Sequence, residues 1–157
     1  MKRFLVVIIG TFVFLFSFSL HAIALIIQIT DNDSGNVYPS LNNGQIAWEA
    51  AGEGVGGGIY FWDGITIRRI GNGRKPSLNN GQIAYESDGI KFWDGINIHD
   101  ISTEGSYPSL YNGQIAWQAR VGNELDTEIF FWDGITTHQV TQNDYGDYHP
   151  SFTTVPS

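Results

Sequence analysis

The residues best spaced to do chemistry in this chain are carboxylates in a short polar loop. Asp31 and Asp33 alternate with asparagine, which places hard oxygen ligands at the spacing of a calcium loop. The acidic ligand of the twelfth loop position would fall on Asn42, which is not acidic. Asp31 and Asp33 therefore form a calcium candidate with an incomplete ligand set. An ordinary turn is the alternative, because Asn, Asp and Gly favour turns for conformational reasons.

Motifs for catalysis are absent from the sequence. It has no Gly-x-Ser-x-Gly elbow, no His-Glu-x-x-His motif and no phosphate-binding glycine loop. It also has no cysteine, which excludes disulfides, thiolate metal sites and cysteine nucleophiles. His99, His138 and His149 lie at inexact repeat positions and are interpreted as surface or edge-strand residues. We therefore assign no catalytic residue and no cofactor, and we expect a protein that is not an enzyme.

The charge of the chain bears on its partners. Sixteen acidic residues outnumber eight basic ones, for a net charge of −8 at pH 7. An acidic body repels phosphate backbones, so we do not expect nucleic acid as a partner. Such a surface could attract cations or basic proteins, but solubility is the simpler interpretation.

The first 24 residues have the organisation of a signal peptide. Lys2 and Arg3 precede an uncharged apolar run over 4–20, and Ala22-Ile23-Ala24 supplies small residues for cleavage. This predicts a signal helix over 1–24 and a mature protein that begins near Leu25, in the periplasm or secreted. The apolar run approaches the roughly 18 residues that can span a membrane. An uncleaved leader is therefore the alternative, and it would be the only membrane contact.

The rest of the chain repeats one pattern at a spacing typical of solenoids and propellers, about 20–50 residues. Each copy predicts four short strands, with a hairpin at an Asn-Gly pair and another turn at an Asp-Gly pair. In the first copy we expect the second, third and fourth strands over 45–49, 59–62 and 65–70. The complete units cover 39–70, 76–101 and 108–140. An orphan outer strand is predicted over 25–30 and an opening inner strand over 149–152.

The first and third copies differ from the second in the loop between the second and third strands. They carry insertions over 50–58 and 119–127, where the second copy turns tightly on Asp88-Gly89. Variable loops on a constant scaffold often carry recognition, although drift in loop length without function is the alternative. The candidate binding residues in these loops are Glu53, Val55, Arg120, Asn123, Glu124 and Asp126.

Tryptophan recurs at the end of the third strand in each unit, at Trp62, Trp93 and Trp132. Exposed rings at these positions could stack on sugars. Recurrence in register favours packing between units instead, since a ligand platform need not repeat in every unit.

The repeats resemble those of the TolB-type, WD-like β-propeller superfamily over nearly all of the mature chain. The first unit shows the pattern as Tyr38-Pro39-Ser40-Leu41, Asn43-Gly44, Ile46-Ala47-Trp48 and Ile59-Tyr60-Phe61-Trp62. The resemblance implies an all-β fold of four-stranded antiparallel blades. Two features depart from it: the family's usual Ser-Pro-Asp-Gly turn is Asn-Asn-Gly here, and the α/β domain of TolB has no counterpart.

The number of blades also departs from the resemblance, which implies about six. Three whole units and two partial strands predict an incomplete β-propeller-type array over 25–157. Such an array could be a truncated product, an open structure, or half of an assembly that another copy completes by self-association. Open ends would expose apolar sheet faces.

From these observations we expect an exported, non-catalytic scaffold that binds another protein in the cell envelope or periplasm. The alternative is a carbohydrate-binding module that uses exposed Trp or Tyr residues near the long loops. A propeller enzyme using Glu53 or Glu124, or a truncated non-functional product, is the remaining possibility. Fold-level resemblance indicates architecture more directly than function.

Overall fold

The computed structural model describes residues 26–33, 35–51, 57–122 and 126–152, and these residues form an all-β structure. Within these ranges no helix has the length and apolar character needed to cross a membrane. The signal helix predicted over 1–24 lies outside the described residues. The twelve strands are β1 (Gly35–Asn42), β2 (Gln45–Ala51), β3 (Gly58–Trp62), β4 (Ile67–Asn72), β5 (Arg74–Asn79), β6 (Gln82–Glu86), β7 (Ile90–Trp93), β8 (Ile98–Ser102), β9 (Ser106–Tyr111), β10 (Gln114–Arg120), β11 (Thr127–Trp132) and β12 (Thr137–Gln139).

The strands form three antiparallel sheets of four strands each, as the repeats predict. The strand orders are β1-β2-β3-β4, β5-β6-β7-β8 and β9-β10-β11-β12, so that every sheet is a simple meander. We refer to them as the first, second and third sheets. Each sheet therefore corresponds to one repeat of the sequence.

The Asn-Gly pairs form the tight turns between the first two strands of every sheet. Asn43 and Gly44 have φ values of 48° and 73°, and the equivalent pairs in the other two sheets are nearly the same. Positive φ at both central residues is the requirement of a type I′ hairpin, which asparagine and glycine meet at low cost. The hairpins predicted from these pairs are confirmed.

The first strand of each sheet is irregular at the residue that precedes its proline. Tyr38, Lys75 and Tyr107 have φ values of 50°, 49° and 53°, and the register of the strand shifts at this point. Such a conformation is unusual for a bulky residue and for a residue before proline. The irregularity turns the backbone amide out of its own sheet. The amides of Lys75 and Tyr107 then reach a side chain of the preceding sheet.

Consecutive sheets pack face to face through two apolar cores. The first core joins Phe61 of β3 and its neighbours to Tyr85 and Trp93 of the second sheet. The second core joins Phe92 of β7 and its neighbours to Trp117 of β10. Alternation along β6 explains this, because Ile83 and Tyr85 face the first sheet while Ala84 faces the third.

The fourth strands begin later than predicted. In the first sheet the strand starts at Ile67 rather than Ile65, because Asp63 takes the amides of Ile65 and Thr66 into the preceding turn. These amides are then unavailable to a strand ladder. Flanking strands are predicted over 25–30 and 149–152. The described residues of these two segments, 26–30 and 149–152, contain no strand.

Candidate binding surface

Two kinds of turn lie at the same edge of every sheet. In an antiparallel meander the first and third connections are on one side and the second is on the other. The Asn-Gly hairpins and the Asp-Gly turns after the third strands therefore share an edge. We call this edge the turn surface; it comprises residues 43–44, 63–66, 80–81, 94–97, 112–113 and 133–136. The loops between second and third strands lie at the opposite edge, which we call the loop surface.

An aspartate holds each Asp-Gly turn through backbone amides. Asp63 Oδ1 accepts hydrogen bonds from the amides of Ile65 at 2.9 Å and Thr66 at 2.8 Å. Asp94 and Asp133 make the equivalent pairs of bonds in the second and third sheets. The glycines after these aspartates all have a φ of 105°, which an L side chain rarely adopts. Two features therefore stabilise the turn: the carboxylate accepts two backbone amides, and the glycine adopts the positive φ that the turn needs.

The hydrogen bonds to these carboxylates lower their pKa values. The pKa of Asp63 falls from 3.8 to about 2, chiefly through the backbone amide of Thr66 and then that of Ile65. The pKa values of Asp94 and Asp133 fall to about 2 as well, led by the amides of Asn97 and Thr136. A carboxylate that accepts two backbone bonds is favoured in its charged form. His99 and His138 contact the second oxygens of these two carboxylates, at 2.7 and 3.2 Å.

The same turns hold an isoleucine out in solvent. Ile65, Ile96 and Ile135 are 90%, 86% and 91% exposed, although isoleucine is usually buried. Their amides are tied to the aspartates, so the side chains cannot turn inward without breaking the turn. Three apolar side chains therefore protrude from one edge, one from each sheet. Repeated apolar exposure on a rigid frame is typical of interaction surfaces.

The inner part of the turn surface is a row of amides. Asn43 Nδ2 donates to Asn80 Oδ1 at 3.1 Å, and Asn80 Nδ2 donates to Asn112 Oδ1 at 3.4 Å. Backbone bonds add to this row, since the amide of Asn80 donates to Asn42 Oδ1 at 2.9 Å. The three hairpins are thereby joined to one another, which gives the turn surface a fixed geometry across the three sheets.

The lowered aspartate pKa values predict a specific loss of stability in acid. Because the folded-state pKa of about 2 lies below the ordinary 3.8, the charged carboxylates stabilise the fold at pH values above 3.8. This contribution disappears as the pH falls from 3.8 towards 2. We expect Asp63→Asn/Asp94→Asn/Asp133→Asn to lose less stability over this range than the wild type, measured by urea unfolding at each pH. Equal losses in the two proteins would contradict the assignment.

The loop surface carries shallow polar clefts. A cleft of about 380 Å³ lies among Arg74, Glu86, Asp88 and the neighbouring glycines. Two further clefts of about 460 Å³ lie beside the predicted loop residues Arg120 and Asp126. Arg120 is exposed at the end of β10, and Asp126 is partly buried before β11. The other predicted loop residues, Glu53, Val55, Asn123 and Glu124, lie outside the described residues.

Two buried carboxylates that line these clefts, Glu86 and Glu128, make structural contacts. Glu86 is 3% exposed and accepts from Arg74 Nε at 2.8 Å and from the amide of Tyr107 at 2.7 Å; its Oε1 also lies 3.1 Å from Lys75 Nζ. Buried Glu128 accepts from the Thr141 hydroxyl at 2.5 Å. A carboxylate held in this way joins strands and loops together.

The described part of the chain contains no group of three or more His, Asp or Glu side chains placed to hold a metal ion. Asp31 and Asp33, the calcium candidate, are both exposed. Two of the three repeated tryptophans, Trp93 and Trp132, lie between sheets as predicted, whereas Trp62 lies on the side of the first sheet that carries Ile46. Trp93 is buried with its ring centroid 5.3 Å from that of Phe61, and Trp132 is partly buried at 5.6 Å from Phe92.

The exposed isoleucines are the feature that sequence reasoning missed. The sequence places an isoleucine directly after each of the three Asp-Gly pairs that follow the third strands, and we interpret this isoleucine as the first residue of the fourth strand. An aspartate whose side chain accepts the backbone amides of the residues two and three positions later forms an Asx turn. Such a turn interrupts the alternation of a strand. That signal could have placed Ile65, Ile96 and Ile135 in the turns.

Comparison with models of known protein families gives no match, and no curated protein is significantly similar to this chain. The geometry of the turn and loop surfaces is therefore the basis for assigning a function.

Proposed function

We propose that this chain is an exported, non-catalytic scaffold of the β-propeller type that binds another protein through its turn surface. The observation that carries the proposal is the row formed by Ile65, Ile96 and Ile135, which the aspartate turns hold in solvent. Apolar side chains on a rigid frame bind without a large ordering cost. The row is bordered by amides and carboxylates, as expected of an apolar centre with a polar rim.

The stacking of the sheets supports the propeller-type arrangement. The innermost strands of successive sheets contact one another, β1 with β5 and β5 with β9. Each innermost strand also contacts the second strand of the preceding sheet, β5 with β2 and β9 with β6. Propellers place the first strand of every blade near the central axis and pack blade on blade. The TolB-type resemblance remains a proposal that rests on this arrangement and on the repeat motifs.

Other classes of partner have less support. The net charge of −8 disfavours nucleic acid and anionic membrane surfaces. Two carboxylates that line the clefts of the loop surface, Glu86 and Glu128, are paired within the protein, which does not favour them as the acid or base of an enzyme. A protein partner requires only exposed apolar area and a polar rim, and the turn surface has both.

The binding proposal predicts that polar substitution of the isoleucines weakens the complex. The wild type is immobilised, partners are recovered from envelope extract, and a purified partner is then titrated. For Ile65→Thr/Ile96→Thr/Ile135→Thr we expect a Kd raised roughly a hundredfold, from about 1 kcal/mol per isoleucine. The turns should persist because they use backbone amides. The matched control is Val37→Thr/Val140→Thr, which alters exposed apolar residues elsewhere. Equal affinity of the wild type and the triple variant would refute the proposal.

Export has its own test. Mass spectrometry of the protein from an expressing bacterium should show an N-terminus near Leu25, as the cleavage pattern of 22–24 predicts. Recovery of Met1 in the membrane fraction would indicate an uncleaved anchor instead.

A carbohydrate-binding module is the second candidate. Tyr145 and Tyr148 of the segment after β12 are exposed, and the ring of Tyr148 borders a cleft of the loop surface. Exposed aromatic rings can stack on sugars. Binding to a glycan array that Tyr145→Ala/Tyr148→Ala abolishes would support this candidate. Loss of glycan binding in the isoleucine variant would not be expected.

A further inference from the structure

One face of the first sheet carries apolar residues at the positions that are buried between sheets elsewhere in the protein, but here they are more exposed. Leu41 of β1 is 71% exposed, whereas Leu78 and Leu110, at the same repeat position, are each 5% exposed. Leu41 pairs with Ile46, which lies on the side of β2 opposite to Ala47 and the first core. We call this side of the first sheet its front face. Its composition suits a neighbouring sheet.

In the second and third sheets, the face that corresponds to this front face is held to the preceding sheet by two backbone amides. One amide belongs to the leucine and donates to a serine; the other belongs to the residue before proline and donates to a glutamate. Between the first and second sheets these bonds run from Leu78 to Ser40 Oγ (2.9 Å) and from Lys75 to Glu49 Oε2 (3.1 Å). Between the second and third sheets they run from Leu110 to Ser77 Oγ (2.9 Å) and from Tyr107 to Glu86 Oε1 (2.7 Å).

The third sheet offers the same two acceptors on its outer face, and a short segment occupies them. The amide of Phe152 donates to Ser109 Oγ at 3.2 Å, and that of His149 donates to Gln118 Oε1 at 2.7 Å. The segment His149–Phe152 reads His-Pro-Ser-Phe, where Tyr38–Leu41 reads Tyr-Pro-Ser-Leu. The φ of His149 is 54°, close to the 50° of Tyr38. This segment therefore occupies the place of an innermost strand.

The segment His149–Phe152 covers the acceptors with much less structure than a sheet provides. It contains no strand, whereas Tyr38–Leu41 belongs to β1 and is followed by β2, β3 and β4. A whole sheet in this place would bury more apolar area of both faces, which favours association.

We propose that the outer face of the third sheet in one copy binds the front face of the first sheet in a second copy. Tyr38–Leu41 of the second copy replaces His149–Phe152 and donates the same two bonds to Ser109 and Gln118. The contact is head-to-tail and continues two interfaces already present within the chain. It rests on the propeller-type stacking proposed above, but it requires no partner at the turn surface.

Single cysteines test this contact directly, because the chain has no cysteine of its own. The ring of Tyr111 lies 5.9 Å from that of Phe152, so Leu41 in the place of Phe152 would lie beside Tyr111. The full chain carrying Leu41→Cys is mixed with the full chain carrying Tyr111→Cys, and diamide oxidises adjacent thiols to a disulfide. We expect a cross-linked dimer whose linked peptides contain positions 41 and 111. The matched control replaces Leu41→Cys by Ile96→Cys, a position on the turn surface that is at least as exposed as Leu41.

Two outcomes would overturn the proposal. One is a yield no greater than that of the Ile96→Cys control. The other is equal cross-linking of the Leu41→Cys copy alone, which would indicate a two-fold contact between front faces. Neither outcome affects titration of a partner at the turn surface, so the two proposals fail separately.

Sedimentation velocity supplies a second measurement that needs no oxidation. Leu41→Glu should shift the full chain towards monomer at concentrations where the wild type associates, while Ile96→Glu should not. Phe152→Glu should instead increase association, because it weakens the segment that competes for the third sheet. If both the wild type and the Phe152→Glu variant were monomeric at every concentration, the inference would be contradicted.

Discussion

Replacement of Trp117 by alanine is expected to lower the free energy of unfolding by about 3–5 kcal/mol, the usual cost of removing a large core ring. Trp117 is 1% exposed and lies in the second core, between the second and third sheets. Its ring stacks on that of Phe130 with centroids 5.9 Å apart. Since small domains have only about 5–15 kcal/mol of stability, this single change would remove a large fraction of it.

Urea unfolding followed by circular dichroism measures this loss, and Trp117→Phe is the matched control. Trp117 Nε1 has no hydrogen-bond partner in the described part of the protein, so phenylalanine gives up no bond. We expect it to cost about 1–2 kcal/mol for the smaller ring alone. If the two variants were equally unstable, the indole nitrogen rather than the volume of the ring would be the important feature.

The second large effect is expected at Glu86. Its carboxylate contacts Arg74 and Lys75 of β5 and the backbone amide of Tyr107 in the third sheet. Alanine would leave the amide of Tyr107 without its acceptor and Lys75 without its ion pair. Leaving this partly buried amide without an acceptor costs about 1 kcal/mol or more, and loss of a partly buried ion pair adds to that. We therefore expect Glu86→Ala to lower the free energy of unfolding by about 2–4 kcal/mol.

The repeat itself supplies the control for Glu86. The third sheet has Gln118 at this position, and its Oε1 still accepts the amide of His149 at 2.7 Å. Glu86→Gln should therefore keep the bond to Tyr107 and lose only the ionic contacts, at a cost of about 1 kcal/mol. Urea unfolding of both variants separates the two contributions. A glutamine variant as unstable as the alanine variant would show that charge, not the amide acceptor, holds the sheets together.

The local structure of each repeat could be predicted from the sequence because short-range chemistry decides it. Asn43-Gly44 specifies a hairpin through positive φ at two adjacent residues, and the structure has it. The recurrence of Trp93 in register indicated burial between units, which the first core shows. Both features are set by residue types at fixed positions of the repeat, which can be read directly from the sequence.

Features that depend on two distant residues could not be predicted. The amide of Tyr107 reaches Glu86 only because a bulge before proline turns it out of the sheet, and nothing in the dipeptide specifies that conformation. Gly105 is a second example: a Cβ there would collide with the ring of Trp117, whereas Asn36 at the same repeat position bonds to Trp48. The sequence shows the substitution but not its reason.

The sequence can indicate variable loops as candidate binding residues, but it does not indicate that the isoleucines of the turn surface are exposed. Differences among the copies indicated the long loops, whereas the exposed isoleucines are the same in every copy. An apolar residue that repeats in every copy is expected to be structural, because such residues usually pack inside. Ile65 repeats for a different reason: its backbone amide donates to Asp63 in a turn, and its side chain is exposed to solvent.

The bonds between successive sheets also bear on how such a chain can change in length during evolution. The second and third sheets each donate two backbone amides to a serine and a glutamate of the preceding sheet, and the second sheet offers the same two acceptors to the third. A duplicated unit would therefore meet compatible neighbours on both sides without any further mutation. Gene duplication could add sheets one at a time, and the glutamine at 118 shows that the carboxylate itself can be replaced by an amide.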